Sequence, residues 1–169
     1  MKKLALLLVF LCLGAAVAHA SDVITMNTNN QIACSGQSSN TISLLSWSWG
    51  VSNSSSVIGT GGVSNPSLSQ ITLQKSFDDC TDAMLNDLFT GTNLNTVVIA
   101  QSRTVYSSSV TIAQVTLTNA FVVSYSVSGA SSNSPTEAWS LAFDRICVVT
   151  NGLSASGQVV AGTTVCYGG

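Results

Sequence analysis

Two tryptophans spaced two residues apart constrain this chain more than any other feature. They lie in residues 42–53, ISLLSWSWGVSN, where Leu45, Trp47, Trp49 and Val51 alternate with Ser46, Ser48, Gly50 and Ser52. A period of two puts successive side chains on opposite faces of a strand, here one apolar and one polar. A strand with two indoles on one face needs a core to cover it, because each indole carries on the order of 200 Å² of surface to bury. Ile42 and Leu44 fall on the opposite phase, which predicts a bulge or burial on both faces where the strand begins. Gly50 permits a bend inside it.

The same alternation recurs along the chain. Ile71 and Leu73 share a face; Thr96 to Gln101 reads as a strand; Val110, Ile112, Val115 and Leu117 alternate with one slip. Phe121, Val123, Tyr125 and Val127 alternate, then Trp139, Leu141 and Phe143, then a buried run at residues 146–149. Residues 129–135 and 151–157 carry turn signals, and a last strand is expected over residues 158–167. Residues 21–41 are polar, with room for one or two short strands. The period changes only once. Phe77, Met84, Leu85, Leu88 and Phe89 have helical spacing, Asp78, Asp79 and Asp82 suit the positive end of a helix, and Gly91 supplies a stop. Ser76 with Asp79 is an acidic variant of a capping box. The predicted helix spans about residues 78–90. An all-β domain with one helix follows, as a barrel or tight two-sheet sandwich.

The beginning of the chain, MKKLALLLVFLCLGAAVAHA, has the lysine start, short apolar run and small-residue end of a cleavable export signal. Cleavage is expected after Ala20, leaving residues 21–169 as one domain, periplasmic or extracellular, with no membrane span. That product holds three basic and seven acidic residues and no histidine. With no basic patch, nucleic acid is not an expected partner. Charged residues are 7% of the whole chain, against about 25% in ordinary globular chains. Ser, Thr and Asn supply the polarity instead, a surface suited to packing against other protein surfaces. Cys34, Cys80, Cys147 and Cys166 remain, an even set that reads as two disulfides in an oxidising compartment. Cys147 and Cys166 lie symmetrically about the 151–157 turn, so they are expected to pair across strands, leaving Cys34 with Cys80.

The common catalytic sets are missing. Without histidine there is no Ser-His-Asp or Cys-His arrangement, and Glu137 is the only glutamate. No nucleotide-binding glycine motif stands at a strand-to-helix turn. The aspartates near residue 80 are explained by helix capping, and the calcium-loop spacing is absent. No enzyme activity, metal or cofactor is expected.

Several segments together resemble the Hcp family, the tube-forming subunits of type VI secretion. ISLLSWSWGVSN is similar to the family's signature strand, at Trp47, Trp49, Gly50 and Val51. The Ser/Gly loop of residues 52–66 resembles its extended loop, through Ser52, Asn53, Gly59, Gly61, Gly62 and Pro66. ITLQKSFDDCTDAMLNDLFTG, VTIAQVTLTNAFVVSYSVSG and SPTEAWSLAFDRICV resemble the strand–helix segment and later strands, in the same order. The resemblance implies a β-barrel of two sheets with a single flanking α-helix. It further implies a hexameric ring of identical subunits that stacks into a tube, with the 52–66 loop contacting the next ring and secreted effectors in the lumen. Family subunits lack a cleavable signal, so the export signal and cysteines point to an exported, disulfide-stabilised variant. The competing expectation is a monomeric secreted module that binds a surface or glycan partner through the Ser/Gly loop and an exposed aromatic.

Overall fold

The computed structural model describes residues 22–29, 31–35, 41–53, 66–105, 107–131 and 133–168. The expected export signal, and Gly59, Gly61 and Gly62 of the expected inter-ring loop, lie outside the described residues. The strands are β1 (Asp22–Asn27), β2 (Thr41–Leu44), β3 (Ser46–Ser48), β4 (Val51–Ser52), β5 (Ser67–Leu68) and β6 (Ile71–Ser76), before helix α1 (Thr81–Thr90). After it come β7 (Thr96–Val105), β8 (Ser108–Thr118), β9 (Phe121–Ala130), β10 (Asn133–Ala142), β11 (Arg145–Thr150), β12 (Gly152–Leu153), β13 (Val159–Val160) and β14 (Val165–Gly168).

Two main antiparallel sheets form. The larger has the order β14-β11-β8-β7-β1-β2, the smaller β3-β6-β10-β9. Two small sheets, β4-β5 and β12-β13, complete the described strands. The all-β fold with one helix expected from the alternation is what the described residues adopt. Period-two residues turn inward from both sheets: Val97, Ile99, Val115 and Leu117 from the larger, Ile71, Leu73, Trp139 and Leu141 from the smaller, all at most 1% exposed. Burying each such side chain contributes about 1.5–3 kcal/mol against leaving it in water.

The phase slip at Ile42 and Leu44 has a different cause from a simple bulge. The chain leaves the larger sheet after Leu44 and enters the smaller one at Ser46, with Leu45 N–H donating to Gln74 O at 2.7 Å. Ile42 and Leu44 face the core from one sheet, and Trp47 packs on it from the other. The turn between sheets therefore leaves Leu45 more than half exposed, and Val51 as well, correcting the expectation that both join the tryptophan face. Trp47 and Trp49 are half-buried; the fully buried indole is Trp139.

β1 is a full six-residue strand inside the larger sheet, held by β2 and β7. Its first residue, Asp22, sits opposite Arg103, which donates from Nε at 2.7 Å and from Nη2 at 3.0 Å. These hydrogen bonds, with one from Gln101, hold the Asp22 carboxyl below the usual carboxylate range. The tract expected as one late strand is two short ones, β13 and β14.

The helix starts three residues later than predicted. Cys80 is its N-cap residue and makes no side-chain cap bond. Asp78 forms a tight turn ahead of it instead, its Oδ1 accepting from Cys80 N–H at 2.8 Å, so the Ser76/Asp79 capping box is not what begins α1. Gly91 ends the helix in the left-handed region, φ 65°, as the stop signal predicts. Met84 is buried, while Phe77 and Phe89 are exposed and take no part in the helix's packing face.

Asp87 lies in the last turn, buried, near the negative end of the helix. Burial pushes its carboxyl above the ordinary carboxylate range, partly countered by a hydrogen bond with Thr92. A carboxyl raised in this way adds stability when protonated and loses that contribution as pH rises through its folded-state value. Asp87→Asn is therefore expected to stabilise the protein by about 0.5–1 kcal/mol at neutral pH. The gain should shrink as pH falls through the carboxylate range, which urea unfolding at two pH values would measure.

Candidate functional site

The smaller sheet holds a charged pair on its inward face. In the register of β6 and β10, Lys75 is opposite Glu137, Leu73 opposite Trp139 and Ile71 opposite Leu141. Parity decides the rest: on each strand the charged residue is two positions from a core residue, so both point into the core. Both are 0% exposed. Lys75 Nζ donates to Glu137 Oε2 at 2.6 Å, Ser76 O at 3.0 Å and Thr81 Oγ1 at 3.1 Å, and pairs with Asp78 Oδ1 at 2.8 Å. Glu137 Oε2 also accepts from Thr81 Oγ1 at 3.1 Å and Trp139 Nε1 at 3.2 Å, while Oε1 accepts from Tyr125 OH at 3.2 Å.

Every polar atom of this cluster is satisfied, as low-dielectric burial requires. One carboxylate gathers a lysine, a helix residue, an indole and a phenol, joining β6, α1, β9 and β10. The Tyr125 ring lies against Trp139 with centroids 4.3 Å apart. Burial, then the Glu137 charge and the hydrogen bond to it, push the Tyr125 hydroxyl above its ordinary pKa. Of its side chains only Asp78 and Tyr125 reach solvent, and the bonds among them fix α1 and the sheet to one another. The signal for it was present in the sequence, since Lys75 continues the Ile71–Leu73 parity and Glu137 precedes Trp139 and Leu141 on theirs.

The cysteines meet as two pairs. Cys34 bonds Cys80 with Cα atoms 4.3 Å apart, tying the segment after β1 to the start of α1. Cys147 bonds Cys166 with Cα atoms 4.0 Å apart, directly opposite one another in the β11/β14 register. Asp78, Asp79 and Cys80 offer ligand atoms within 4.8 Å of one another. The set does not suit a metal ion: the Cys80 sulfur is in a disulfide, and Asp78 Oδ1 already accepts from Lys75 and Cys80.

The surface has two notable features. First, the strands that end the main sheets, β14, β2, β3 and β9, contain no charged residue. Proteins that stay monomeric usually blunt their sheet edges with lysines, prolines or other charges. β9 is ten residues long, with Val123 39% and Val127 52% exposed. Second, an apolar cavity of about 310 Å³ opens where the 52–66 loop joins the sheets, between Trp49, Val51, Pro66 and Leu68 on one side and β11 and β14 on the other. Of the expected family-signature residues, Trp49 and Val51 line this cavity and Trp47 packs on the core; Gly50 N–H donates to Ser69 Oγ at 2.8 Å. Of the expected loop residues, Ser52 pairs with Ser67 at the loop's root, Asn53 follows it, and Pro66 O accepts from Tyr167 OH at 2.9 Å.

The model of a family described as type VI secretion system effector, Hcp, matches residues 33–149, more than half of the chain. Solved structures share the fold. One described as a type six secretion system protein aligns with a TM-score of 0.72 at 19% identity, over 86% of this chain and 92% of that one. Hcp1 from Salmonella typhimurium aligns at 0.66 and 16% identity, over 87% and 94%. A type VI secretion system effector from Yersinia pestis aligns at 0.63 and 14% identity, over 86% and 98%. No curated protein matches the chain.

Proposed function

The chain belongs to the Hcp family of type VI secretion system effectors, and from that premise we propose that it is a structural subunit that assembles with copies of itself into a hexameric ring. The observation that carries this reading is the set of uncharged edge strands, above all β9 with its exposed valines. An unblunted edge is a template for another strand or sheet face. A surface with few charges also has little desolvation penalty to offset when two copies meet. Rings that stack through the 52–66 loop would make a tube, whose lumen could take secreted effectors as cargo.

The leader and the two disulfides favour assembly outside the inner membrane, after cleavage behind Ala20. The buried ionic cluster serves this role indirectly, by making the subunit rigid. The reading assigns no catalysis and no cofactor. A monomeric glycan-binding module has less support, because the cavity beside Trp49 is mostly apolar and its one hydroxyl, on Tyr167, already donates to Pro66 O, leaving few groups to hydrogen-bond sugar hydroxyls.

Light scattering on the oxidised, leader-free protein across a concentration range, with electron micrographs of the same sample, tests the proposal. The expected outcome is a mass of about six subunits and annular particles. A single-subunit mass at every concentration would overturn it.

A further inference from the structure

The two disulfides differ in a way that gives them different chemistry. Cys34 and Cys80 are 9% and 1% exposed and belong to the core. Cys147 is half-buried and Cys166 exposed, on a strand, β14, whose four residues are all exposed. Thiol–disulfide exchange needs a thiolate to reach a sulfur along the S–S axis, so access sets which bond is attacked first.

β14 has few other ties. It pairs on one side only, with β11, because it ends the sheet. Beyond that ladder, Tyr167 OH donates to Pro66 O at the root of the 52–66 loop. Yet Val165, Cys166 and Tyr167 form one wall of the apolar cavity, facing Trp49. A short exposed edge strand held to a sheet by a cross-strand disulfide, and closing an apolar space, has the parts of a latch.

We propose that Cys147–Cys166 is a redox latch: its reduction frees β14 and opens the cavity, while Cys34–Cys80 stays closed. A dithiol reductant supplies two electrons and two protons. Its first thiolate attacks a cystine sulfur to give a mixed disulfide. Its second displaces the protein thiol, so Cys147 and Cys166 leave as thiols and the reductant as a cyclic disulfide. Without the covalent tie, four exposed residues must hold an apolar wall in place by a one-sided ladder, and short strands at a sheet edge lie at the low-stability end of a fold. Opening gives Ile146, Val148 and Trp49 to solvent and leaves the outer backbone groups of β11 unpaired. The protein would then present a closed surface in oxidising surroundings and an open apolar one in reducing surroundings.

The test is a dithiothreitol titration of the oxidised protein, with free thiols trapped by iodoacetamide and mapped by mass spectrometry. Cys147 and Cys166 should be labelled about tenfold or more faster than Cys34 and Cys80. At the stage where only that pair is reduced, amide hydrogen exchange should rise in residues 146–148 and 165–168. Fluorescence of anilinonaphthalene sulfonate, an apolar-surface probe, should rise with it. Equal labelling of the four cysteines would overturn the latch, as would selective reduction with no change in exchange. The double variant Cys147→Ser, Cys166→Ser should bind the probe without reductant; if it does not fold, the titration on the intact chain still decides. The exchange readout is local, so it stands or falls separately from ring formation.

Discussion

Glu137→Ala should destabilise the protein by about 3–5 kcal/mol, the usual cost of removing one member of a buried ion pair. The Lys75 ammonium would remain at 0% exposure with its 2.6 Å partner gone. Asp78 limits the damage, since it lies 2.8 Å from the same nitrogen and is partly exposed. Against that, the hydroxyl of Thr81, the indole N–H of Trp139 and the hydroxyl of Tyr125 all lose their acceptor at once. Unsatisfied buried donors cost about 1–3 kcal/mol each. The variant pair Lys75→Met, Glu137→Gln separates charge from hydrogen bonding: it deletes both charges but keeps a carbonyl oxygen for Thr81 and Trp139, with the amide nitrogen facing the Tyr125 hydroxyl, which can accept from it. It should recover most of the stability lost by Glu137→Ala. Urea unfolding with both disulfides intact measures each. A loss below about 1 kcal/mol for Glu137→Ala would mean that the cluster does not hold α1 to the sheet.

Alternation made the strands of the core legible because parity alone decides which side of a sheet a residue faces. Val97, Ile99, Val115, Leu117, Trp139 and Leu141 all point inward on that rule. The rule fails where the chain changes sheets. At Leu45 the frame of reference itself turns, so a face that looks continuous from Leu45 to Val51 is divided between the core and solvent. It also misplaced the start of α1. Asp78 and Asp79 suit a helix N-terminus locally, but Lys75 draws Asp78 into the buried cluster from strand β6, which delays the helix to Thr81. Most telling is Glu137. Its parity placed it inside, yet a carboxylate is read from sequence as a surface group until its partner is known, and that partner is 62 residues away. Long-range register, which no single stretch contains, is what makes a buried charge tolerable.

Those same strands carry the family resemblance, and the family fold in turn fixes which edges remain unpaired. β9 ends the smaller sheet, and among the described residues its outer side is met by a single bridge from Asn93 at Phe121, its first residue, so that no strand pairs along the rest of that edge. Val123 and Val127 are 39% and 52% exposed, and Val122 is the neighbouring valine that points inward, although Val127 stands opposite Glu137 in the β9/β10 register. Replacing Val123 and Val127 together by lysine should leave the folded subunit within about 0.5 kcal/mol of the wild type, as surface changes usually do. Assembly should respond far more strongly. Each copy would bring two ammonium groups to a strand with no acid of its own, the carboxylate opposite Val127 being Glu137, already held by Lys75, and an unpaired charge desolvated at an interface costs several kcal/mol. A closed ring repeats that cost at every subunit boundary. The expected result is a fall of the scattering mass to that of one subunit, with circular dichroism and the unfolding midpoint unchanged. General charge repulsion would not explain such a fall, because residues 21–169 carry three basic and seven acidic residues and two lysines move them toward neutrality. The paired control Val123→Thr, Val127→Thr keeps β-branched, uncharged side chains and should assemble. If the lysine variant still forms rings, β9 is not a docking edge, and the ring contact must be sought on another face of the subunit.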